Sequence, residues 1–60
     1  GWNRVVAAAR TAGAEGSFVL ADFRDTLNTS RKYASVYLAA LDRAGITVFD
    51  GERRRLPEGR

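Results

Sequence analysis

Three residues, Asn28-Thr29-Ser30, separate two stretches whose apolar side chains recur at helical spacing, and this short break constrains the chain more than any other feature. Leu20, Phe23 and Leu27 stand at i, i+3 and i+7, one face of a helix, with Asp22, Arg24 and Asp25 on the remainder. Ala34, Tyr37, Leu38 and Leu41 repeat at i, i+3, i+4 and i+7 in a second helix. Asn, Thr and Ser favour turns and caps, so either Thr29 or Ser30 caps that second helix. Two helices joined this closely have the spacing of a helix-turn-helix.

The flanks complete the pattern. Residues 3–12 are rich in helix formers, with Trp2, Val5, Val6 and Ala9 as an inner stripe and Gly13 as the stop. Gly13 and Gly16 bracket a turn, and Ser17-Phe18-Val19 reads as a short strand. Gly45 offers a left-handed cap, after which Ile46-Thr47-Val48-Phe49 is β-branched and aromatic, as strands prefer. Asp50-Gly51 signals a type I′ hairpin turn, with positive φ expected at both residues. Arg53 to Leu56 returns as the second strand, and Pro57 and Gly59 end it. The order predicts one α+β domain over residues 1–60, a winged helix-turn-helix. Its helices are expected at about 3–12, 20–27 and 31–44, its short strand after helix 1 at about 17–19, and its two-stranded β-hairpin wing at about 46–56.

With 60 residues and neither Cys nor His, the chain has no disulfides and no Cys or His metal site, so packing alone must build the core. A domain this small buries only about 60% of the surface its unfolded chain exposes. No apolar run approaches the ~20 residues of a membrane span, and Arg10 interrupts the cluster Ala7-Ala8-Ala9 before it could serve as a signal peptide. A cytoplasmic location away from membranes is the expectation. Opening at Gly1 without an initiator Met reads as a piece of a longer protein, and the lack of an obvious dimerisation helix reads as a monomer.

The net charge is +3, and Arg supplies nine of the ten basic residues. Arg pairs bidentately with phosphate and stacks on bases, which points to an anionic partner. Arg31 and Lys32 open the third helix, where unpaired N–H groups and the dipole attract phosphate. Two cations there are unfavourable for the helix itself, so their presence favours an external anion. With the apolar set inward, Arg31, Lys32 and Ser35 lie outward, flanked by Val36 and Ala39. Tyr33 either stacks on an unpaired base or packs on Phe23 or Leu27, with packing the favoured reading; Tyr37 belongs to the core. In Arg53-Arg54-Arg55, strand alternation puts Arg53 and Arg55 outward and Arg54 on the side of Leu56. The helix tip and the wing are expected side by side. Arg4, Arg10 and Arg24 read as solvated or paired with nearby acids. No nucleophile–base pair and no phosphate-cradling glycine loop is present, so an enzyme is not expected.

The run Phe18-Val19-Leu20-Ala21-Asp22-Phe23-Arg24-Asp25, then Thr29-Ser30-Arg31-Lys32-Tyr33-Ala34, then Leu41-Asp42-Arg43-Ala44-Gly45, resembles the C-terminal winged-helix module of the selenocysteine-specific translation elongation factor, SelB. The likeness covers about residues 17–56 and departs at Val48, Phe49, Ala39, Ala40 and Arg55. It implies an RNA-binding module that grips a selenocysteine-insertion (SECIS) hairpin in messenger RNA during UGA recoding. The ribosome and selenocysteyl-tRNA would be engaged through the parent protein, with GTP in another of its domains and no cofactor in this one. Arg24, Ser30, Arg31, Lys32, Tyr33, Ser35, Arg53, Arg54 and Arg55 are the candidate RNA contacts. A DNA-binding winged-helix regulator, or a protein-interaction winged helix using Trp2, Tyr33 or Phe49, are the alternatives.

Overall fold

The computed structural model describes residues 2–57, so the strand end expected at Gly59 lies outside the described residues. In chain order these form α1 (Trp2–Ala12), β1 (Ser17–Phe18), α2 (Leu20–Leu27), α3 (Arg31–Arg43), β2 (Val48–Phe49) and β3 (Arg54–Arg55). The strands make one antiparallel sheet in the order β1-β3-β2. Ser17 and Val48 both face Arg55, and Phe18 and Phe49 both face Arg54. The expected wing hairpin is thus present, but β3 is the middle strand and joins the wing to the strand after α1.

Backbone geometry explains the boundaries. Val19 is extended (φ −108°, ψ 168°) and precedes α2 without a polar side chain; instead the Asp22 carboxylate accepts its N–H at 3.2 Å. The expected strand 17–19 therefore stops at Phe18. Asn28 ends α2 in the left-handed conformation (φ 60°), and the Thr29 N–H reaches back to the Arg24 carbonyl at 3.2 Å. Ser30, not Thr29, caps α3, its hydroxyl accepting from the Tyr33 N–H at 3.3 Å. At the far end Gly45 (φ 77°) donates to the Asp42 carbonyl at 3.1 Å and Ile46 to the Leu41 carbonyl at 3.0 Å, a paired closure that a glycine there permits. Thr47 also points its N–H at the Leu41 carbonyl, at 3.4 Å. Ile46 and Thr47 are still finishing the helix, so β2 begins only at Val48 rather than at Ile46.

The wing turn also differs from the expected one. Gly51 has positive φ (107°) but Asp50 does not, so the type I′ geometry is absent. The centre of the turn is Gly51-Glu52. Asp50 donates its N–H to the Arg53 carbonyl at 3.0 Å, while its carboxylate accepts from the N–H groups of Arg53 at 2.9 Å and Glu52 at 3.0 Å. These bonds, that from Arg53 foremost, hold the Asp50 carboxyl below the ordinary carboxylate range.

The core lies where the three helices meet the inner side of the sheet. Val5, Ala8, Ala9, Phe18, Phe23, Ala34, Leu38 and Leu41 are buried, and Tyr37, Ile46 and Leu56 pack around them. Phe18 and Phe23 meet with ring centroids 6.3 Å apart. Each large side chain buried here contributes about 1.5–3 kcal/mol of transfer free energy. Trp2, expected inside, is 47% exposed. It stands in the first turn of α1, where it borders a surface groove with Leu27, Asn28, Thr29 and Tyr37 instead of entering the core. α1 stops at Ala12, directly before Gly13 as expected, and Gly13 has a second role. A Cβ there would lie 3.0 Å from Leu56 Cδ1 and 3.1 Å from Phe18 Cδ1, so its missing side chain lets both residues close over the end of α1.

Candidate nucleic-acid interface

α3 packs inward through Ala34, Leu38 and Leu41 and turns the opposite face to solvent. Lys32, Val36, Ala39 and Arg43 are all exposed, at i, i+4, i+7 and i+11. Eleven steps of about 100° return to within about 20° of the starting direction, so Lys32 and Arg43 crown opposite ends of one stripe about 17 Å long. Ser35, Val36 and Ala39 between them are small and exposed, leaving a low floor. Among the described residues only Arg24 and Arg54 form ion pairs, so Arg31, Lys32, Arg43 and Arg55 have no acidic partner there. Arg43 was not among the sequence candidates. Its spacing from Lys32 was the signal that could have found it.

Tyr33 is 56% exposed, which overturns the expectation that it packs on α2. Capping by Ser30 places Tyr33 in the first turn of α3, outside the reach of Phe23, while Tyr37 one turn later meets the core. An aromatic ring beside Arg31 and Lys32 can stack on an unpaired base.

The three wing arginines divide by role. Arg54, on the side of Leu56 as alternation predicts, is engaged within the protein. Its guanidinium lies 3.1–3.3 Å from the Asp42 carboxylate and 4.3 Å from the centre of the Phe49 ring. The buried Thr47 hydroxyl donates to the same carboxylate at 2.6 Å. Asp42 in the last turn of α3 thereby fixes β3 and the residue that leads into β2. Arg53 donates to the Ser17 hydroxyl at 2.7 Å and the Ser17 carbonyl at 3.2 Å, fastening the wing turn to β1. Arg55 is exposed and free of ion pairs among the described residues. On α2, Arg24 holds the Asp25 carboxylate at 3.1–3.2 Å.

The expected side-by-side placement of helix tip and wing is corrected by these contacts. Arg31 opens α3, whereas the wing is anchored to Asp42 near its close, eleven residues or about 17 Å along the axis. The cations therefore mark both ends of α3 instead of forming one cluster. Among the described residues no group of three or more His, Cys, Asp or Glu could hold a metal ion, and no helix is long and apolar enough to cross a membrane.

Three helices, a short strand after the first, and a hairpin joined to that strand beyond the third helix define a winged-helix domain. Within that class the chain belongs to a specific family: the family model described as "Elongation factor SelB, winged helix" matches residues 10–56, most of its length. The match spans both helices of the helix-turn-helix and the whole wing, and so includes the stretch in which the sequence resemblance lies. No curated protein matches the chain.

Proposed function

We propose that this domain is a non-catalytic RNA-binding module of a selenocysteine-specific elongation factor, and that it grips a SECIS hairpin through the outward face of α3. The observation that carries this reading is the stripe from Lys32 to Arg43, with unpaired cations at each end and small side chains between. Membership of the SelB winged-helix family supports the translational setting. In that setting the parent factor, with GTP in another domain, holds selenocysteyl-tRNA at a cytoplasmic ribosome while this domain tethers it to the message.

Each contact follows from placement. Arg31, Lys32 and the free N–H groups of the first turn of α3 take phosphates at one end, and Arg43 takes the backbone at the other. Arg55 extends the basic surface onto the wing. Side chains cannot read the deep major groove of an A-form stem, so specificity comes from unpaired loop bases, with Tyr33 as the stacking platform and Ser35 as a hydrogen-bonding neighbour. Arg53 and Arg54 hold the wing in place, and Arg24 is paired with its neighbour Asp25. Ser30 fixes the start of α3 through its cap.

Titration of a fluorescent SECIS hairpin at several salt concentrations tests this. Four or five phosphate contacts give a log–log salt slope of about −3 to −4. Arg31→Ala, Lys32→Ala and Arg43→Ala should each weaken binding about tenfold, with circular dichroism unchanged. Tyr33→Ala should weaken the intact hairpin but not a stem without its loop. Unchanged affinity in all three cation variants would remove the α3 face from the interface, and preference for a DNA duplex over the hairpin in competition would reverse the choice of polymer.

A further inference from the structure

We propose that the hairpin lies on this domain with a fixed polarity: its unpaired loop runs over the opening of α3 into the groove beside Trp2 and Arg4, and its stem points toward Arg43. Resting on the RNA-binding reading of α3, this adds a second contact surface, on α1, and gives the bound RNA a direction. The groove is lined by Trp2, Arg4, Leu27, Asn28, Thr29 and Tyr37, with Val5 at its floor. Tyr33 and Tyr37 stand one turn apart, each about 100° round the helix from Lys32 and Val36 of the outward stripe. Tyr33 is exposed, and Tyr37, partly buried, forms a wall of the groove. Thr29 precedes Arg31 by two residues, so groove and basic face share the opening of α3 as a common border.

The two ends of α3 carry different chemistry. At the opening, cations stand beside aromatic rings: Tyr33 is 56% exposed and Trp2 47%. At the close, Arg43 stands among Ala39, Ala44 and Gly45, all exposed and none with a ring to offer. Phe49, on the wing that Asp42 anchors at that end, already has the Arg54 guanidinium 4.3 Å from its ring centre. A hairpin divides in the same way. Paired bases in an A-form stem stack on one another and leave phosphate and ribose for a protein to hold, which cations do. Unpaired loop bases expose their faces, which aromatic side chains stack on.

The groove's own charge agrees with that occupant. Arg4 is its one charged lining residue and forms no ion pair among the described residues, and no carboxylate lines it. Arg4 is thus placed for a loop phosphate. Asn28 and Thr29 put an amide and a hydroxyl on the wall, the donors and acceptors that base edges pair with. Tyr33 and Arg43 are ten residues, about 15 Å, apart along α3, so a single hairpin reaches the aromatic end and the purely cationic end at once.

Nuclear magnetic resonance of the intact chain with a nitroxide-labelled SECIS hairpin provides the test. A nitroxide on a loop base should broaden the Trp2 indole and the amides of residues 28–33. One at the foot of the stem should broaden residues 43–45 instead. Trp2 is the chain's single tryptophan, so its emission should change when the hairpin binds and stay constant with a blunt duplex of the stem alone. Trp2→Ala should weaken the hairpin at least about fivefold, with Trp2→Phe recovering most of the loss, and Arg4→Ala should weaken it about threefold to tenfold. Neither should change affinity for the blunt duplex by more than about twofold, whereas Arg43→Ala should weaken both RNAs. Both α1 positions are exposed, and circular dichroism checks that each variant keeps its fold. Broadening in the reverse order, or equal from the two labels, would overturn the polarity. A hairpin that binds through Arg31, Lys32 and Arg43 while Trp2 emission and Arg4→Ala affinity stay unchanged would remove the groove but leave the α3 face standing. No binding of the hairpin at all would overturn both readings.

Discussion

Arg54→Ala should unfasten the wing and destabilise the domain by about 2 kcal/mol. The guanidinium lies 3.1–3.3 Å from the Asp42 carboxylate, with side chains 16% and 28% exposed, respectively. Two unit charges about 4 Å apart attract by about 4 kcal/mol at an effective dielectric near 20. Desolvation and partial screening reduce the net value to about 1–2 kcal/mol. The stack on Phe49, at 4.3 Å, adds about 0.5–1 kcal/mol. A 60-residue domain has only about 3–9 kcal/mol to lose, so the loss is a large fraction of its stability. Thermal melts followed at 222 nm should fall by about 8–16 °C. Arg54→Lys should recover less than half, because an ammonium neither grips the carboxylate with two nitrogens nor stacks flat on the ring. A double-mutant cycle with Asp42→Asn should give a coupling of at least about 1 kcal/mol. A shift under about 2 °C, or no coupling, would refute the anchoring role. So would an Arg54→Ala protein of full stability that has lost RNA affinity, since that would return Arg54 to the nucleic-acid contacts.

Two further outcomes follow from the same structure. Gly13→Ala should cost no more than about 1 kcal/mol in urea melts, since a Cβ 3.0–3.1 Å from Leu56 and the buried Phe18 must push them back by a few tenths of an ångström against the backbone entropy an alanine saves; a gain in stability would show that both side chains yield freely. Because Asp50 titrates below its ordinary 3.8 in the folded chain, its support for the wing turn is complete above that pH and is lost as the pH falls through the folded value. Chemical shifts of the Glu52 and Arg53 amides should report that loss on acidification, and Asp50→Ala should abolish the transition at both.

The helices were legible because each has a local signature. Spacing placed α2 over 20–27 as found, the Asn28-Thr29-Ser30 break marked the turn, and Gly45 marked the close of α3. The strands were less legible because non-local bonds set their limits. That Ile46 and Thr47 still serve the Leu41 carbonyl, or that β3 lies between β1 and β2, leaves no trace in a period-2 pattern only two residues long. The turn was misplaced by one residue because a carboxylate did the work expected of backbone φ, which Asp-Gly alone does not disclose. At the interface, strand alternation separated Arg54 from Arg55 correctly. The partner of Arg54 sits twelve residues away on another element, so three adjacent arginines read as one patch when only Arg55 is unencumbered. Tyr33 and Trp2 were misassigned for a common reason: helical period says which residues share a face, but not where the neighbouring element stops.

The pairing of residues 54 and 55 with both Ser17-Phe18 and Val48-Phe49 also sets an order of events during synthesis. Helices can form as their residues leave the ribosome, since their bonds span four positions. Every ladder in the sheet must await residues 54 and 55, made after all three helices, and the older partner strand has by then waited through some 36 further additions. Until Arg54 and Arg55 emerge, Phe18 has no strand to pair with and Leu56 is not there to cover it, so a nascent chain stalled before residue 54 would display an apolar, unzipped edge to chaperones.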